Sequence, residues 1–307
     1  MQKILLVKTS SMGDVIHNLP VVGDISEAFP GCVVDWVVED AFAAIPALHP
    51  GVRRVIPVGV RRWRKDWVAE ATRREIRDAK ELFQDEHYDL VVDTQGLLKS
   101  ALLARWARGP ICGCNWDTAR ERLASLFYDR RVRLDWSRHA VERNRKIAAL
   151  CLGYEVTTPA RYGIGAPRRE LAWLPPGRYA VLLHATSRAD KLWPEDNWVA
   201  LGGRLRAAGL GLALPWGSGP ERERAERLAA RLPGAVVPPR LDLEDAAALL
   251  GGAAAVAGVD TGLSHLAAAL GVPVVGIYCA TDPGSTGVHG ATAVNLGGVG
   301  RPPTPDE

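Results

Sequence analysis

No apolar run in the 307 residues approaches the roughly 20 needed for a helix to cross a bilayer. Met1-Gln2-Lys3 followed by only Ile4 to Val7 makes no secretory signal, so a cytoplasmic protein is expected. Charge of one sign is scarce as well. A net +3 on a chain that is 47% hydrophobic and 24% charged gives no ground for nucleic-acid binding and excludes disorder for most of its length. The five cysteines are an odd number without paired spacing, and Cys112-Gly113-Cys114 is too close for a zinc knuckle, so reduced thiols are expected. There is no Asp-x-Asp triplet and no His and carboxylate cluster with metal-ligand spacing. Neither a metal nor any other cofactor is therefore expected.

What is present alternates. Apolar runs at Ile4 to Val7, Val33 to Val38, Val55 to Val58, Leu90 to Val92 and near Ile111 read as strands, with helical stretches at Val68 to Phe83 and Leu97 to Trp106. His139 to Leu152 reads as a helix. The segment after it is rich in Pro and Gly and has no periodicity. Alternation restarts at Tyr179 to Leu183 and continues through Gly211 to Leu214, Ala253 to Val259 and Val274 to Ile277. The expected architecture is α/β, with two Rossmann-like domains of parallel strands: residues 1–153, a linker at 154–177, and residues 178–307. That break counts against a single closed β/α barrel.

Parallel sheets bind ligands beyond the carboxyl ends of their strands. In the first half the loops Lys8 to Asp14 and Asp93 to Gly96 lie there. Asp14 at a helix start can take a proton from a substrate hydroxyl, or can simply serve the helix dipole. Arg53 to Arg77 holds nine basic residues against three acidic ones, among them Arg61, Arg62, Arg64 and Lys65, with Trp63 and Trp67 interleaved. Nucleic acid, an anionic lipid surface and an acidic small molecule each fit such a cluster. Arg120 belongs to a second, weaker one.

In the second half, Thr186 to Lys191, Trp216 to Glu221 and Asp260 to His265 each follow a strand and precede a helix. Together they suit a nucleotide diphosphate sugar. Lys191 offers charge to a diphosphate, Glu221 accepts from ribose hydroxyls, and the helix opening at Thr261-Gly262 presents unpaired N–H groups. Asp260 would repel a diphosphate, so it is expected either to hold sugar hydroxyls or to cap the helix. A sugar-nucleotide transferase and a nucleotide-binding module without chemistry both fit; a separate site around Asp14 favours the transferase.

The chain resembles the bacterial heptosyltransferases of lipopolysaccharide core assembly (glycosyltransferase family 9). The resemblance is carried by KTSSMGDVIHNLP (Lys8 to Pro20), DWVVE (Asp35 to Glu39), IPVGVRRWRK (Ile56 to Lys65) and DTQGLLKSA (Asp93 to Ala101). It continues through TARERLASLFY (Thr118 to Tyr128), HAVERNR (His139 to Arg145), LHATSRADKLWP (Leu183 to Pro194), LPWGSGPERERAERLA (Leu214 to Ala229) and VDTGLSHLAAAL (Val259 to Leu270). The Lys8 to Pro20 and Arg61 to Lys65 stretches favour the type I members over type II. The resemblance implies a GT-B fold of two facing domains, and inverting, metal-independent transfer of L-glycero-D-manno-heptose from ADP-heptose to the first Kdo of Kdo2-lipid A. It implies a monomer at the cytoplasmic face of the inner membrane that binds no nucleic acid.

By the same resemblance Asp14 is the base and Lys191 faces the diphosphate. Thr186, Ser187, Glu221, Leu241, Asp260, Thr261, Gly262 and His265 serve the donor. Lys8, Ser11, Arg61, Arg62, Arg64, Gln95 and Arg120 serve the acceptor. Leu241 stands where the family often has methionine. Thr304-Pro305-Asp306-Glu307 reads as a helix start at which the chain stops, so the usual final helix of the family is expected to be lacking.

Overall fold

The computed structural model describes residues 2–174 and 177–307. The chain divides after Gly163 into two compact units. The first is built on β1 (Lys3–Val7), β2 (Val33–Glu39), β3 (Val52–Val58), β4 (Leu90–Asp93), β5 (Ile111–Cys114) and β6 (Arg130–Val132). They form one sheet in the order β3-β2-β1-β4-β5-β6, parallel throughout. The second unit uses β7 (Tyr179–Leu183), β8 (Gly211–Ala213), β9 (Ala235–Val236), β10 (Ala255–Val259), β11 (Val274–Tyr278) and β12 (Ala293–Gly297). Its order is β12-β11-β10-β7-β8-β9, again all parallel.

Each sheet is centred on strands with no polar face. Ile4, Leu5, Leu6 and Val7 of β1 are wholly buried, as are Val181 and Leu182 of β7. Burial on both faces is what helices covering both sides of a parallel sheet require. The order reverses beside β1 in the first unit and between β7 and β10 in the second. Loops leave the sheet in opposite directions there and open a crevice at the carboxyl edge. Lys8 to Asp14 follows β1 and Asp93 to Gly96 ends β4, so both loops lie at that edge, as expected. Gly96 takes a left-handed φ of 68°, which lets the chain turn sharply back toward the next helix.

Three expectations are corrected. The expected linker is divided between the two units. Residues 154–163 belong to the first unit, where the Thr158 carbonyl accepts from Arg145 Nη2 (2.8 Å) and Tyr154 meets Phe29 edge to face. In the second unit Arg169 binds Asp245 (2.9 Å) and Glu244. Pro175 and Pro176, part of the expected linker, lie outside the described residues, as does Met1. The cysteines are not all free, since Cys112 on β5 is bonded to Cys151 in the helix Ala140–Leu152, with Cα atoms 5.7 Å apart. Thirty-nine residues of separation gave no signal of that pairing.

The helix expected from Val68 begins instead at Glu70, after a separate short helix at Val60–Trp63. Thr304 to Glu307 forms a turn in which the Thr304 N–H donates to Glu307 Oε2 (3.1 Å), while Arg204 holds the Pro305 carbonyl.

Arg145 is a buried charge of the first unit. Its side chain is 2% exposed and binds Asp24 through two hydrogen bonds of 2.8 Å. Removing one partner strands the other charge in a dry place. Arg145→Leu is therefore expected to lower the stability of the first unit by about 3–5 kcal/mol in denaturant unfolding.

Candidate active site

At the carboxyl edge of the first sheet, Ser11 starts the short helix Met12–Ile16 and Asp14 sits in its first turn. Asp14 Oδ2 accepts from the Ser11 N–H (2.9 Å) and the Ser11 hydroxyl (3.0 Å). The two readings of Asp14 thus divide between its oxygens. Oδ2 serves the helix start, while Oδ1 is 3.9 Å from Arg120 Nη1, with 28% of the side chain exposed.

Lys8 lies beneath and is almost fully buried. Its Nζ donates to the Thr94 carbonyl (2.9 Å) and to Asn144 Oδ1 (3.0 Å). Burial pushes the Lys8 ammonium down to about 8, against the opposing pull of Asp14. For Asp14, burial works upward, but the Lys8 charge, the Ser11 N–H, Arg120 and the Ser11 hydroxyl outweigh it, and the carboxyl lies below its ordinary range. Asp14 is an ionised acceptor at neutral pH. A cavity of about 20 Å³ opens beside Lys8, Asp14 and Arg120, lined also by Trp136, Arg143 and Asn144.

Gln95 does not face this cavity freely. Its Oε1 accepts from the Thr9 N–H (2.7 Å) and hydroxyl (2.8 Å), and its Nε2 donates to the Ser10 carbonyl (3.2 Å). These bonds turn the amide to bracing the loop that carries Ser11. Asp93 likewise organises the loop that follows it. Its buried carboxylate accepts from Ser100, Tyr128 and the N–H groups of Gln95 and Gly96.

Of the basic cluster, Arg62 is paired with Asp40 (2.8 Å) and Glu75, and Arg61 lies over the Phe42 ring at 5.6 Å. Arg64 is exposed. Lys99, which the sequence reading missed, reaches the same loop, its Nζ donating to Ser10 Oγ (2.8 Å).

At the carboxyl edge of the second sheet, Asp260 follows β10 and Thr261 stands at the N-cap position of the helix Gly262–Ala269. Asp260 is therefore not the cap. Its Oδ2 accepts from Lys191 Nζ (2.7 Å) and the Thr281 hydroxyl (2.7 Å), and its Oδ1 is 3.8 Å from His265 Nε2. Burial would raise its pKa, but His265, Lys191 and Thr281 overcome that and hold the carboxyl well below the usual range. Thr186 donates its hydroxyl to the Asp260 carbonyl (2.9 Å).

Five of the expected donor residues thus form one cluster at the start of a helix: Thr186, Lys191, Asp260, Thr261 and His265. Thr281 joins it from beyond β11. Gly262 begins the helix, and Ser187 is exposed in the same loop as Thr186. Glu221 Oε2 accepts from the Gly217 N–H (2.7 Å), which keeps the Trp216 to Glu221 turn closed and leaves Oε1 for a ligand hydroxyl. Leu241 is half-buried just before the helix Leu243–Gly251, away from any polar contact of its own side chain.

Two parallel six-stranded sheets, each with charged loops at its carboxyl edge, are the architecture of a GT-B glycosyltransferase. The model of glycosyltransferase family 9 (heptosyltransferase) matches residues 76–307, and the chain belongs to that family. It is 49% identical over 292 residues to lipopolysaccharide heptosyltransferase 1 of Escherichia coli K12, covering 94% of this chain and 91% of that one. It also superposes on E. coli heptosyltransferase WaaC with ADP at a TM-score of 0.90, with 46% identity over 96% of this chain and 93% of that one. With ADP-2-deoxy-2-fluoro heptose bound to WaaC, the TM-score is 0.87 at 46% identity, covering 97% and 94%.

Lys8 gives a pH signature. Its pKa falls from 10.5 in a free chain to about 8 when folded, so burial disfavours the charged form. That cost is present in full below pH 8 and is relieved as pH rises toward 10.5, because the unfolded chain then binds more protons than the folded one. Relative to Lys8→Met, the protein is expected to gain on the order of 3 kcal/mol of stability across that window, measured by urea unfolding at stepped pH.

Proposed function

We propose that the chain transfers L-glycero-D-manno-heptose from ADP-heptose to the first Kdo of Kdo2-lipid A, with inversion, in lipopolysaccharide inner-core synthesis. The observation that carries this reading is the ionised, partly exposed Asp14, which keeps one oxygen directed away from its cap. A protein that only bound nucleotide sugars would have no use for it. The solved relative's ADP-2-deoxy-2-fluoro heptose supports the donor.

In the reaction, the acceptor hydroxyl oxygen forms a bond to the anomeric carbon as the bond to ADP breaks. The proton passes to Asp14 Oδ1 and the electron pair leaves on the β-phosphate. Thr261 and Gly262 N–H groups at the helix start, Lys191 and the Thr186 and Ser187 hydroxyls meet the growing negative charge. Asp260 orients Lys191 and His265. Glu221 takes ribose hydroxyls and Leu241 borders adenine. With this much positive charge supplied by the protein, the diphosphate needs no metal in the proposed scheme. Arg120, Arg61, Arg62, Arg64 and Lys99 meet acceptor carboxylates and phosphates, and Lys8 holds Asp14 ionised. The protein works as a monomer at the cytoplasmic face of the inner membrane.

Asp14→Ala is expected to lower turnover by about 10²–10⁴-fold while ADP affinity, measured calorimetrically, stays within about twofold. Near-normal turnover would remove Asp14 as the base. Lys191→Ala should cost about tenfold or more in rate, and an unchanged rate would place it away from the leaving group. Offering ADP-heptose with either Kdo2-lipid A or its mono-heptosylated product separates the two heptose additions. Transfer to the second alone makes the chain a type II enzyme.

A further inference from the structure

The helices Val60–Trp63, Glu70–Gln84 and Leu98–Ala104 leave an open groove of about 250 Å³ whose apolar lining the proposed chemistry does not use. Its lining is almost wholly apolar and includes Trp63, Trp67, Leu102 and Trp106, with Arg64 and Lys99 as its charged members. Large apolar side chains stand out around it. Trp67 is 71% exposed and Val68 55% exposed on the turn before Glu70, and Leu102 is 46% exposed on the facing helix. The turn Arg122–Phe127, which packs against that helix, adds exposed Leu123 and Leu126. A water-facing surface has no use for such a set.

The charges beside the groove are mostly basic. Between Arg61 and Arg77 there are seven basic and three acidic residues. Glu75 is paired with Arg62 and Glu70 with Arg74. Among the described residues, Arg61, Arg64, Lys65 and Arg77 form no ion pair, and Asp66 is the one acid of this stretch without a basic partner. An apolar, tryptophan-bearing ridge set among unpaired Arg and Lys is the chemistry of a bilayer interface. There indole rings lie at headgroup depth and cations meet lipid phosphates.

We propose that this ridge, Trp67-Val68 with Leu102, is the face on which the protein docks to an anionic phospholipid bilayer, with the groove behind it accepting apolar chain. The proposal rests on the reading that the acceptor is membrane-borne, and it gives that reading a place on the molecule. Lys99 borders the groove and also donates to Ser10 Oγ, one residue before Ser11. The docking face is therefore continuous with the loop that positions Asp14. An enzyme seated this way meets its acceptor at the lipid surface and needs no spanning helix.

The test uses the full chain with vesicles of phosphatidylcholine alone or mixed with phosphatidylglycerol. The parent protein is expected to sediment with the mixed vesicles and far less with neutral ones. Trp67→Ser combined with Leu102→Ser should weaken that binding by about tenfold or more, and Lys65→Glu, an exposed change that removes no core contact, by several-fold. Transfer from ADP-heptose to a water-soluble, de-acylated Kdo acceptor should be unchanged in both variants, which also shows that they fold. Binding of the double variant to mixed vesicles within about twofold of the parent overturns the proposal. So does a parent dimer that the double variant dissociates while vesicle binding persists, since a second copy would then be the occupant. Failure of the parent to use any Kdo acceptor, with vesicle binding intact and lost in the variants, overturns the proposed acceptor and leaves the docking face standing.

Discussion

Each unit depends on a carboxylate kept charged in a half-dry place by a lysine at the carboxyl edge of a parallel sheet. In the first it is Asp14 above Lys8, and in the second Asp260 against Lys191. Taking such charges from water costs several kcal/mol per ion, and the cost is offset only when partners are close and hydrogen bonds are filled. Asp260 meets that condition in full and Asp14 on one oxygen, both through strand-end loops. The Trp36 indole N–H holds the Lys8 carbonyl (3.1 Å), and Thr186 holds the Asp260 carbonyl. The sheets thus fix the backbone, the backbone fixes the charges, and the charges leave one face of each carboxylate or cation open to a ligand.

The pairs differ in what they leave available. Asp260 has three donors around it, so its capacity is largely consumed in placing Lys191 and His265. On the proposed reading, a diphosphate approaching them meets positive groups whose counter-charge lies behind. Asp14 has only Ser11 hydrogen-bonded to it, and all on one oxygen. The first arrangement suits holding an anion still, the second suits accepting a proton.

The central strands were legible because burial on both faces demands unbroken apolar runs, as in Ile4 to Val7 and Tyr179 to Leu183. The edge strands were not. β6, β9 and β12 are short or largely exposed, and nothing in Arg130–Val132 or Ala293–Gly297 alternates in a way that marks a strand. At the sites, loop position was enough to put Asp14, Lys191, Thr261 and His265 at the carboxyl edges of the sheets, since a polar loop after a buried strand leads there. What position could not give was the direction of each side chain. Gln95 turned inward to brace its neighbours, Asp260 paired with Lys191 instead of capping, and Asn144, Lys99 and Thr281 came in from elements remote in sequence. The Cys112 to Cys151 bond was invisible for the same reason, joining a strand to a helix that only the fold brings together.

The low basicity of Asp14 then constrains the proposed chemistry. A carboxylate held below its ordinary range cannot remove a proton from a neutral sugar hydroxyl in the ground state, where the mismatch in acidity is many units. The hydroxyl becomes acidic only as its oxygen bonds to the anomeric carbon and gains positive character. Proton transfer must therefore come late, after the bond to the diphosphate has begun to break. On this account Lys8 lowers the driving force for the transfer, yet it ensures that Asp14 stands ionised and hydrogen-bonded to the incoming hydroxyl at every neutral pH. The rate then rests mainly on stabilising the departing diphosphate, so the positive groups around Lys191 and the Thr261 helix start carry the larger part of the barrier lowering.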